Sequence, residues 1–306
     1  MTDLSRWPAL VLTAGLATRL RPLSVVRAKA AMPVAGDALV GRILKWLRTS
    51  GVRRVVLNLH HRADSITRIV GDGSAIGVDV RYSWEVPLLG SAGGPARALP
   101  LLEADRFVIV NGDTLTDLDL RALATHHTDT NALVTMAVVK GDPRYNGVIS
   151  AHGIVQSFGA APGADHFVGV QVVNASAFAG VSADQPSETV KALYPSLIER
   201  HPESVRVFKT GAEFFDIGTP ADYHATVATL AAREKRPFDR GRNCEVAPDA
   251  RLERTILWDN VTIEPGASLT DCVVTDGVRV PAGARLDRCS IVMSERGMIA
   301  EPWNPA

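Results

Sequence analysis

The 306-residue sequence has few of the features that mark several protein classes. Its only cysteines are Cys244, Cys272 and Cys289, with no CxxC motif or Cys/His cluster. This argues against a disulfide framework or a zinc site and favours a cytoplasmic location. No apolar run approaches the roughly 18 residues of a membrane helix. Acidic and basic side chains balance at 33 each, so no net charge favours nucleic acid or an anionic membrane as a partner.

The first part of the chain alternates short apolar runs with amphipathic segments. We expect strands at residues 10–12, 55–59, 78–82 and 107–110, and helices near 39–47, 66–70 and 96–102. Strands separated by helices predict right-handed βαβ units, and hence an α/β fold with a Rossmann-like, mainly parallel sheet. Ligands bind such sheets beyond the carboxyl ends of the strands, which here follow residues 12 and 110.

The pattern changes after residue 132. Strands are expected within 132–139, 147–150, 168–173 and 205–208, and helices near 190–197 and 220–233. The charged stretch 233–242 contains Pro237 and Gly241 and is typical of a linker. The sequence therefore predicts one domain at residues 1–235 and a second at 243–306.

The second domain contains an internal repeat. Residues 244–260, 261–277 and 278–294 align at a step of 17, with Leu252, Leu269 and Leu286 at one shared position and Cys272 matching Cys289. This period predicts three rungs of a β-helix. Inward-facing cysteines in such rungs act as small hydrophobic side chains.

The segment 12–23 follows a buried strand and contains Gly15, Arg19 and Arg21. A glycine there lets backbone N–H groups approach a phosphate, and the arginines supply positive charge. The same pattern also fits a plain connection between a strand and a helix. Lys29, ten residues after Arg19, is either a cation for a second phosphate or a solvated lysine.

Two aspartates follow apolar segments. Asp113 ends Asn111-Gly112-Asp113, and Asp216 lies in the segment 215–220 before a predicted helix. A single aspartate in such a place is most often a helix cap or a turn former. Two of them suit Mg²⁺, which binds one or two carboxylates together with substrate phosphate oxygens.

Taken in order, the segments 12–23, 29–34, 85–94, 111–113 and 216–220 resemble the sugar-1-phosphate nucleotidylyltransferases, which make NDP-sugars. The match covers residues 9–230 and is closest to mannose-1-phosphate guanylyltransferases, with N-acetylmuramate-1-phosphate uridylyltransferases nearby. The C-terminal rungs resemble the short left-handed β-helix of several members. The resemblance implies an NTP and a sugar 1-phosphate as substrates, Mg²⁺ as cofactor, and a homo-oligomer formed through the β-helix.

The resemblance also implies roles for individual residues. Catalysis would use Arg19, Lys29, Asp113 and Asp216, and both aspartates would bind the metal. The nucleotide would contact Leu12, Ala14, Gly15, Arg19, Glu85, Gly90 and Ser91. The sugar would lie near Gly147 and Gly169.

The chain departs from the family pattern in three places. The family's Pro-Lys-Pro motif is Ala28-Lys29-Ala30 in this sequence. The second glycine of the family's G-x-G-T-R loop is Ala17. The lysine that usually binds the sugar phosphate is missing from residues 158–166. Its role is either unfilled or taken by another cation such as Lys140 or Arg144.

The choice of nucleotide base is inferred from Glu85. The Glu85 carboxylate would offer acceptors to the N–H donors of guanine, which favours GTP, and the family resemblance implies mannose 1-phosphate as the sugar substrate. The alternatives are a uridylyl- or thymidylyltransferase for another sugar, a related enzyme that activates an alcohol phosphate, and a catalytically silent subunit that binds NDP-sugar.

Overall fold

The computed structural model describes residues 2–141 and 147–303, and the predicted candidate Arg144 lies outside them. The chain divides into two compact units. Unit 1 comprises Met1–Gly15, Val40–Ala63 and Val70–Phe215, and unit 2 comprises Leu16–Leu39, Asp64–Ile69 and Asp216–Ala306. The predicted boundary between residues 235 and 243 stays a prediction, because unit 2 follows spatial contacts and takes in earlier segments.

The helices and strands are as follows. The helices are α1 (Leu23–Val26), α2 (Leu39–Ser50), α3 (Ala63–Val70), α4 (Gly90–Leu102), α5 (Leu120–Thr130), α6 (Tyr194–Arg200) and α7 (Pro220–Arg233). The first strands are β1 (Ala9–Leu12), β2 (Pro33–Val34), β3 (Asp37–Ala38), β4 (Arg54–Leu59), β5 (Asp79–Trp84), β6 (Arg106–Asn111), β7 (Thr114–Thr116), β8 (Val134–Val139), β9 (Gly147–Ala151), β10 (Ile154–Gly159), β11 (His166–Asn174), β12 (Val205–Lys209) and β13 (Phe214–Asp216). The C-terminal strands are β14 (Glu245–Val246), β15 (Arg251–Glu253), β16 (Ile256–Leu257), β17 (Thr262–Ile263), β18 (Ser268–Thr270), β19 (Val273–Val274), β20 (Arg279–Val280), β21 (Arg285–Asp287), β22 (Cys289–Ser294) and β23 (Gly297–Pro302). Among the described helices, none combines the length and apolar character needed to cross a membrane.

Unit 1 is built around a nine-stranded sheet in the order β5-β4-β1-β6-β11-β8-β12-β10-β9. Strands β5, β4, β1 and β6 run parallel, and β12 runs parallel to β8, whereas β11 is antiparallel to both of its neighbours. The strands in the parallel half are apolar runs because both faces of such a sheet are buried. The predicted α/β fold with a Rossmann-like sheet is confirmed.

Some elements of unit 1 were not predicted from the sequence. Helix α4 begins at Gly90 rather than at residue 96, although its first residues are rich in glycine. The backbone N–H groups of Ala92 and Gly93 donate to the Ser187 carbonyl at 2.9 and 3.3 Å. A segment distant in sequence thus provides an acceptor for N–H groups of the first turn, and this stabilises the helix despite its low helix propensity. Helix α5, which the Asp119 side chain caps, and strand β10 were also missed.

The C-terminal part of unit 2 confirms the predicted β-helix. Three parallel stacks, β14-β17-β20, β15-β18-β21 and β16-β19-β22, pair at the 17-residue step. Leu252, Leu269 and Leu286 stack in register, and the buried Cys272 and Cys289 sulfurs lie 3.5 Å apart. Strand β23 pairs antiparallel with β22 and covers the edge of the last rung.

The last residues of the predicted linker already pair with the first rung. Arg240 forms a parallel bridge with Leu257, and the Gly241 N–H donates to the Leu257 carbonyl at 2.8 Å. The ordered rungs therefore begin a few residues before 243.

Candidate active site

The carboxyl ends of three neighbouring strands of unit 1 form the centre of the predicted site. Leu12, the last residue of β1, pairs with Asn58 of β4 on one side and Asn111 of β6 on the other. The Asn58 side-chain oxygen accepts the Thr13 N–H at 2.6 Å and the Ala14 N–H at 3.4 Å. Asn58 therefore orients the exit of β1, where the predicted phosphate loop begins. Sequence reasoning missed Asn58, although a polar residue within the apolar strand β4 is a usable signal.

Glu85 belongs to the same hydrogen-bond network. Its side chain is only 1% exposed. Oε1 accepts a hydrogen bond of 2.7 Å from Asn58 Nδ2, and Oε2 accepts the Leu89 N–H at 2.8 Å. Both carboxylate oxygens thus accept hydrogen bonds from within the protein, from Asn58 and Leu89. This geometry argues against direct contact between Glu85 and a base.

The turn that contains Asp113 packs directly on β1. The Gly112 N–H donates to the Leu12 carbonyl at 3.0 Å, and a Cβ on Gly112 would lie 2.5 Å from that oxygen. Gly169 lies against the same turn: it has φ +80, and a Cβ there would lie 2.5 Å from Thr114 Oγ1. The structure therefore brings together the end of β1, the turn that contains Asp113 and the predicted sugar residue Gly169.

Gly90 and Ser91 lie where α4 meets a distant segment. Gly90 has φ +75, and a Cβ there would lie 2.7 Å from Glu188 Oε1. The Ser91 hydroxyl donates to Glu188 Oε2 at 2.7 Å and accepts the Thr189 N–H at 2.9 Å. These contacts hold the start of α4, so that the predicted nucleotide role of both residues stays a prediction.

Gly147 packs elsewhere in unit 1. A Cβ at this position would collide with the Ala164 side chain, which explains the glycine by packing alone. The neighbouring segment has one cation that sequence reasoning missed, since Lys209 Nζ lies 2.8 Å from Asp165 Oδ2. This lysine, supplied by β12, reaches the segment that lacks the family lysine.

In unit 2, the predicted phosphate loop continues through Ala17 into a short 3₁₀ turn, Thr18–Leu20. Ala17 has φ +48 and ψ +47, the left-handed conformation that glycine adopts without strain and alanine adopts at a cost of about 1–2 kcal/mol. The loop therefore keeps the backbone turn for which the family uses glycine. Gly15 is exposed, and a Cβ there would have no neighbour within 4 Å.

Arg19 lies beside the segment that contains Asp216. A Cβ on Gly218 would lie 3.4 Å from both terminal nitrogens of the Arg19 guanidinium. Thr219 and Asp222 form a capping box at the start of α7, which holds this segment in place. The predicted residues Arg19 and Asp216 thus lie on adjoining parts of unit 2, and the half-buried Lys29 begins a second 3₁₀ turn, Lys29–Ala31.

The predicted metal ligands are the half-buried residues Asp113 and Asp216. Carboxylate oxygens are the donors that Mg²⁺ prefers, and the glycines at positions 112 and 169 let the backbone pack closely around the turn that contains Asp113. Across the described residues, no group of three or more His, Cys, Asp or Glu side chains is placed to hold a metal.

The chain is similar to several known proteins. A model of the nucleotidyl transferase family matches residues 8–233. The chain is 28% identical over 290 residues to a mannose-1-phosphate guanylyltransferase of Mycobacterium tuberculosis, with 84% of this chain and 81% of that protein covered. It is 44% identical over 115 residues to an N-acetylmuramate alpha-1-phosphate uridylyltransferase of Neisseria meningitidis, with 37% of this chain and 50% of that protein covered.

A solved structure has a similar fold. HddC from Yersinia pseudotuberculosis in complex with GMP-PN superposes with a TM-score of 0.64 at 25% identity, and the match covers 73% of this chain and 99% of that chain.

Proposed function

The chain belongs to the nucleotidyl transferase family, and from this we propose that it transfers a nucleoside monophosphate from an NTP to a sugar 1-phosphate. A phosphate oxygen of the sugar 1-phosphate would attack the α-phosphorus of the NTP, and pyrophosphate would leave. Such a reaction needs positioning and charge neutralisation more than a protein nucleophile.

One observation carries the proposal. Strands β1 and β6 lie side by side, and the turn containing Asp113 packs on the exit of β1 through the 3.0 Å hydrogen bond from Gly112 to Leu12. The loop proposed to bind phosphates and the carboxylate proposed to bind the metal thus follow neighbouring strands at the same edge of the sheet, where ligands of α/β proteins bind.

Each charged residue has a separate proposed role in this reaction. Asp113 and Asp216 would hold Mg²⁺, which would neutralise charge on the phosphates of both substrates. Arg19 would stabilise the departing pyrophosphate through its guanidinium. Lys29 would stabilise the negative charge that develops on the transferring phosphate.

On the sugar side, Gly169 would line the sugar and Lys209 would take the place of the missing family lysine. Lys209 is supported by its 2.8 Å ion pair with Asp165 in the segment just before β11. Its side chain is 65% exposed, so the ammonium group is accessible to a phosphate.

The proposed substrates are GTP and mannose 1-phosphate. The support comes from the relative in Mycobacterium tuberculosis, which matches over most of both chains, and from the GMP-PN complex of HddC. The buried Glu85 carboxylate, bound to Asn58 and Leu89, supports neither base. UTP is the second candidate, because the higher identity over 115 residues is to a uridylyltransferase.

Release of pyrophosphate tests the proposal. The full chain with Mg²⁺ is assayed with four NTPs against a panel of sugar 1-phosphates, with phosphocholine as the non-sugar control. We expect release with one sugar 1-phosphate and the highest kcat/KM with GTP. Release with UTP alone would select the second candidate, release only with phosphocholine would indicate the related alcohol-phosphate enzyme, and no release with any pair would indicate a silent binding subunit.

We also propose that the chain self-associates through its β-helix. Met293 and Ile299, on the paired strands β22 and β23, are 46% and 39% exposed, and exposed apolar side chains on a sheet favour association. Light scattering of the wild type and of Met293→Glu would test this, and a monomeric wild type would contradict it.

A further inference from the structure

The loop that carries Lys29 is tied to the β-helix on the side before the lysine. Arg27, two residues earlier, donates from Nε to Asp276 Oδ2 at 2.7 Å and from Nη2 to Asp276 Oδ1 at 2.5 Å. Nη2 also donates to Asp259 Oδ2 at 2.9 Å. A bidentate contact with one carboxylate and a further contact with a second fix the guanidinium in position and orientation.

The two aspartates occupy the same place in successive rungs. They are 17 residues apart, and the Asp259 N–H donates to Asp276 Oδ1 at 3.0 Å. Asp259 also accepts the Arg242 N–H at 2.8 Å. Burial would raise the pKa of Asp259, but its hydrogen bonds and ion pairs with Arg242 and Arg27 lower it, so that this carboxylate is charged near neutral pH.

The side of the loop after the lysine is held by a second chain of contacts. The Tyr223 hydroxyl of α7 donates to the Pro33 carbonyl at 2.6 Å and accepts from Trp258 Nε1 at 3.2 Å. Trp258 is fully buried. The Arg27 guanidinium lies 5.1 Å from the centre of the Trp258 ring, within the range of a cation–π contact.

These contacts lie in unit 2 and enclose the segment 27–33 from both sides. The Ala28 N–H is also held, by Ser65 Oγ of α3 at 3.0 Å. We propose that the first two rungs of the β-helix position Lys29 through Arg27, Asp259 and Asp276. The β-helix thereby contributes to catalysis from outside the site, and Asp276 is a positioning residue. This inference rests on the proposed function of Lys29.

Asp276→Asn tests the positioning role, and Asp271→Asn is its matched control. Asp271 is also a β-helix aspartate that accepts two hydrogen bonds from one arginine, Arg254, at 2.6 and 2.8 Å. We expect Asp276→Asn to lower kcat by about 10- to 100-fold, since small displacements of a catalytic group cost this much. KM for the NTP should change less than kcat, and Asp271→Asn should leave kcat near the wild-type value.

A double-mutant cycle with Lys29→Ala separates positioning from general damage. If Asp276 acts through Lys29, Asp276→Asn should cost less than about 2-fold in the Lys29→Ala background. A loss of the same factor in both backgrounds would overturn the inference, as would an equal loss of kcat in Asp271→Asn. Should Asp276→Asn not fold, Arg27→Lys replaces it in the same cycle, because an ammonium group cannot make the bidentate contact.

Hydrogen exchange provides a measurement that does not depend on activity. Amides in residues 28–34 should exchange about 10-fold or more faster in Asp276→Asn than in wild type or Asp271→Asn, because the loop loses its anchor. Unchanged exchange would overturn the inference. A wild type that releases no pyrophosphate would instead contradict the proposed function, and exchange alone would then decide whether the β-helix holds the loop.

Discussion

Asn58 and Glu85 form a buried pair in which the Asn58 amide nitrogen donates a 2.7 Å hydrogen bond to the Glu85 carboxylate. The Asn58 side-chain oxygen accepts the Thr13 N–H at 2.6 Å, so the pair connects the end of strand β5 to the start of the predicted phosphate loop. The orientation of Asn58 is set, because a rotated amide would face Thr13 with a second donor.

Glu85→Gln should destabilise the protein without changing its choice of base. The NH₂ group of the glutamine, which is a donor, would face either the Asn58 amide nitrogen or the Leu89 N–H, both of which are also donors. A buried donor left without an acceptor costs about 1–3 kcal/mol. We expect the free energy of unfolding in urea to fall by that amount, whereas the exposed control Glu199→Gln should leave it unchanged. A shift in the ratio of kcat/KM for GTP and UTP would instead return Glu85 to the role of a base-reading residue.

Asp113→Asn should abolish most of the activity and leave the fold intact. The asparagine keeps the size of the side chain but removes the charge proposed to bind Mg²⁺, so kcat should fall by at least about 100-fold. Circular dichroism and the thermal midpoint should match the wild type. Asp129→Asn, at an exposed aspartate of α5, is the control, and near-normal turnover of Asp113→Asn would disprove its assignment as a metal ligand.

Features that depend on local repetition could be predicted from the sequence. The 17-residue step, seen in Leu252, Leu269 and Leu286, determines the strand register directly, and the apolar run of β6 identifies a central strand. Helix α7 was predicted with its observed limits because Thr219 and Pro220 form a recognisable helix start.

Features that depend on distant partners could not be predicted. The burial of Glu85 requires Asn58, 27 residues away in the chain, and its position in the family pattern alone favoured contact with the nucleotide. The glycine-rich start of α4 is helical because the Ser187 carbonyl accepts its N–H groups. The contacts of Arg27 could not be predicted from the sequence, because its partners Asp259 and Asp276 lie 232 and 249 residues further along the chain.

Lys209→Ala should weaken use of the sugar phosphate more than use of the NTP. If Lys209 replaces the missing family lysine, the loss of its charge should raise KM for the sugar 1-phosphate by about 5- to 20-fold, corresponding to about 1–2 kcal/mol. KM for the NTP should change by less than about 2-fold. Lys191→Ala, at an exposed lysine outside the sheet, is the control. An unchanged KM for the sugar phosphate would exclude Lys209 and leave Lys140 and Arg144 as candidates.

His127 should make the stability of the protein depend on pH. Its side chain is 1% exposed, and burial lowers its pKa from 6.5 to about 4. Asn174 Oδ1, an acceptor 3.1 Å from Nε2, requires a proton on that nitrogen, so Nδ1 accepts from the Thr135 hydroxyl at 2.8 Å. The neutral ring thus satisfies both contacts, whereas protonation of Nδ1 would place two donors against each other unless the hydroxyl turned away.

The sign of the effect follows from the lowered pKa. Between pH 6.5 and about 4, the unfolded chain binds a proton at His127 that the folded chain does not, so folding loses stability as the pH falls through this interval. The contribution of this one group is on the order of 3 kcal/mol, since each pKa unit corresponds to about 1.4 kcal/mol. Urea unfolding at pH 7, 6, 5 and 4 should show a flatter dependence for His127→Gln than for wild type or for His201→Gln, an exposed control. Parallel curves for wild type and His127→Gln would mean that the folded protein accommodates the protonated ring, and the pKa of His127 would then lie near its ordinary value.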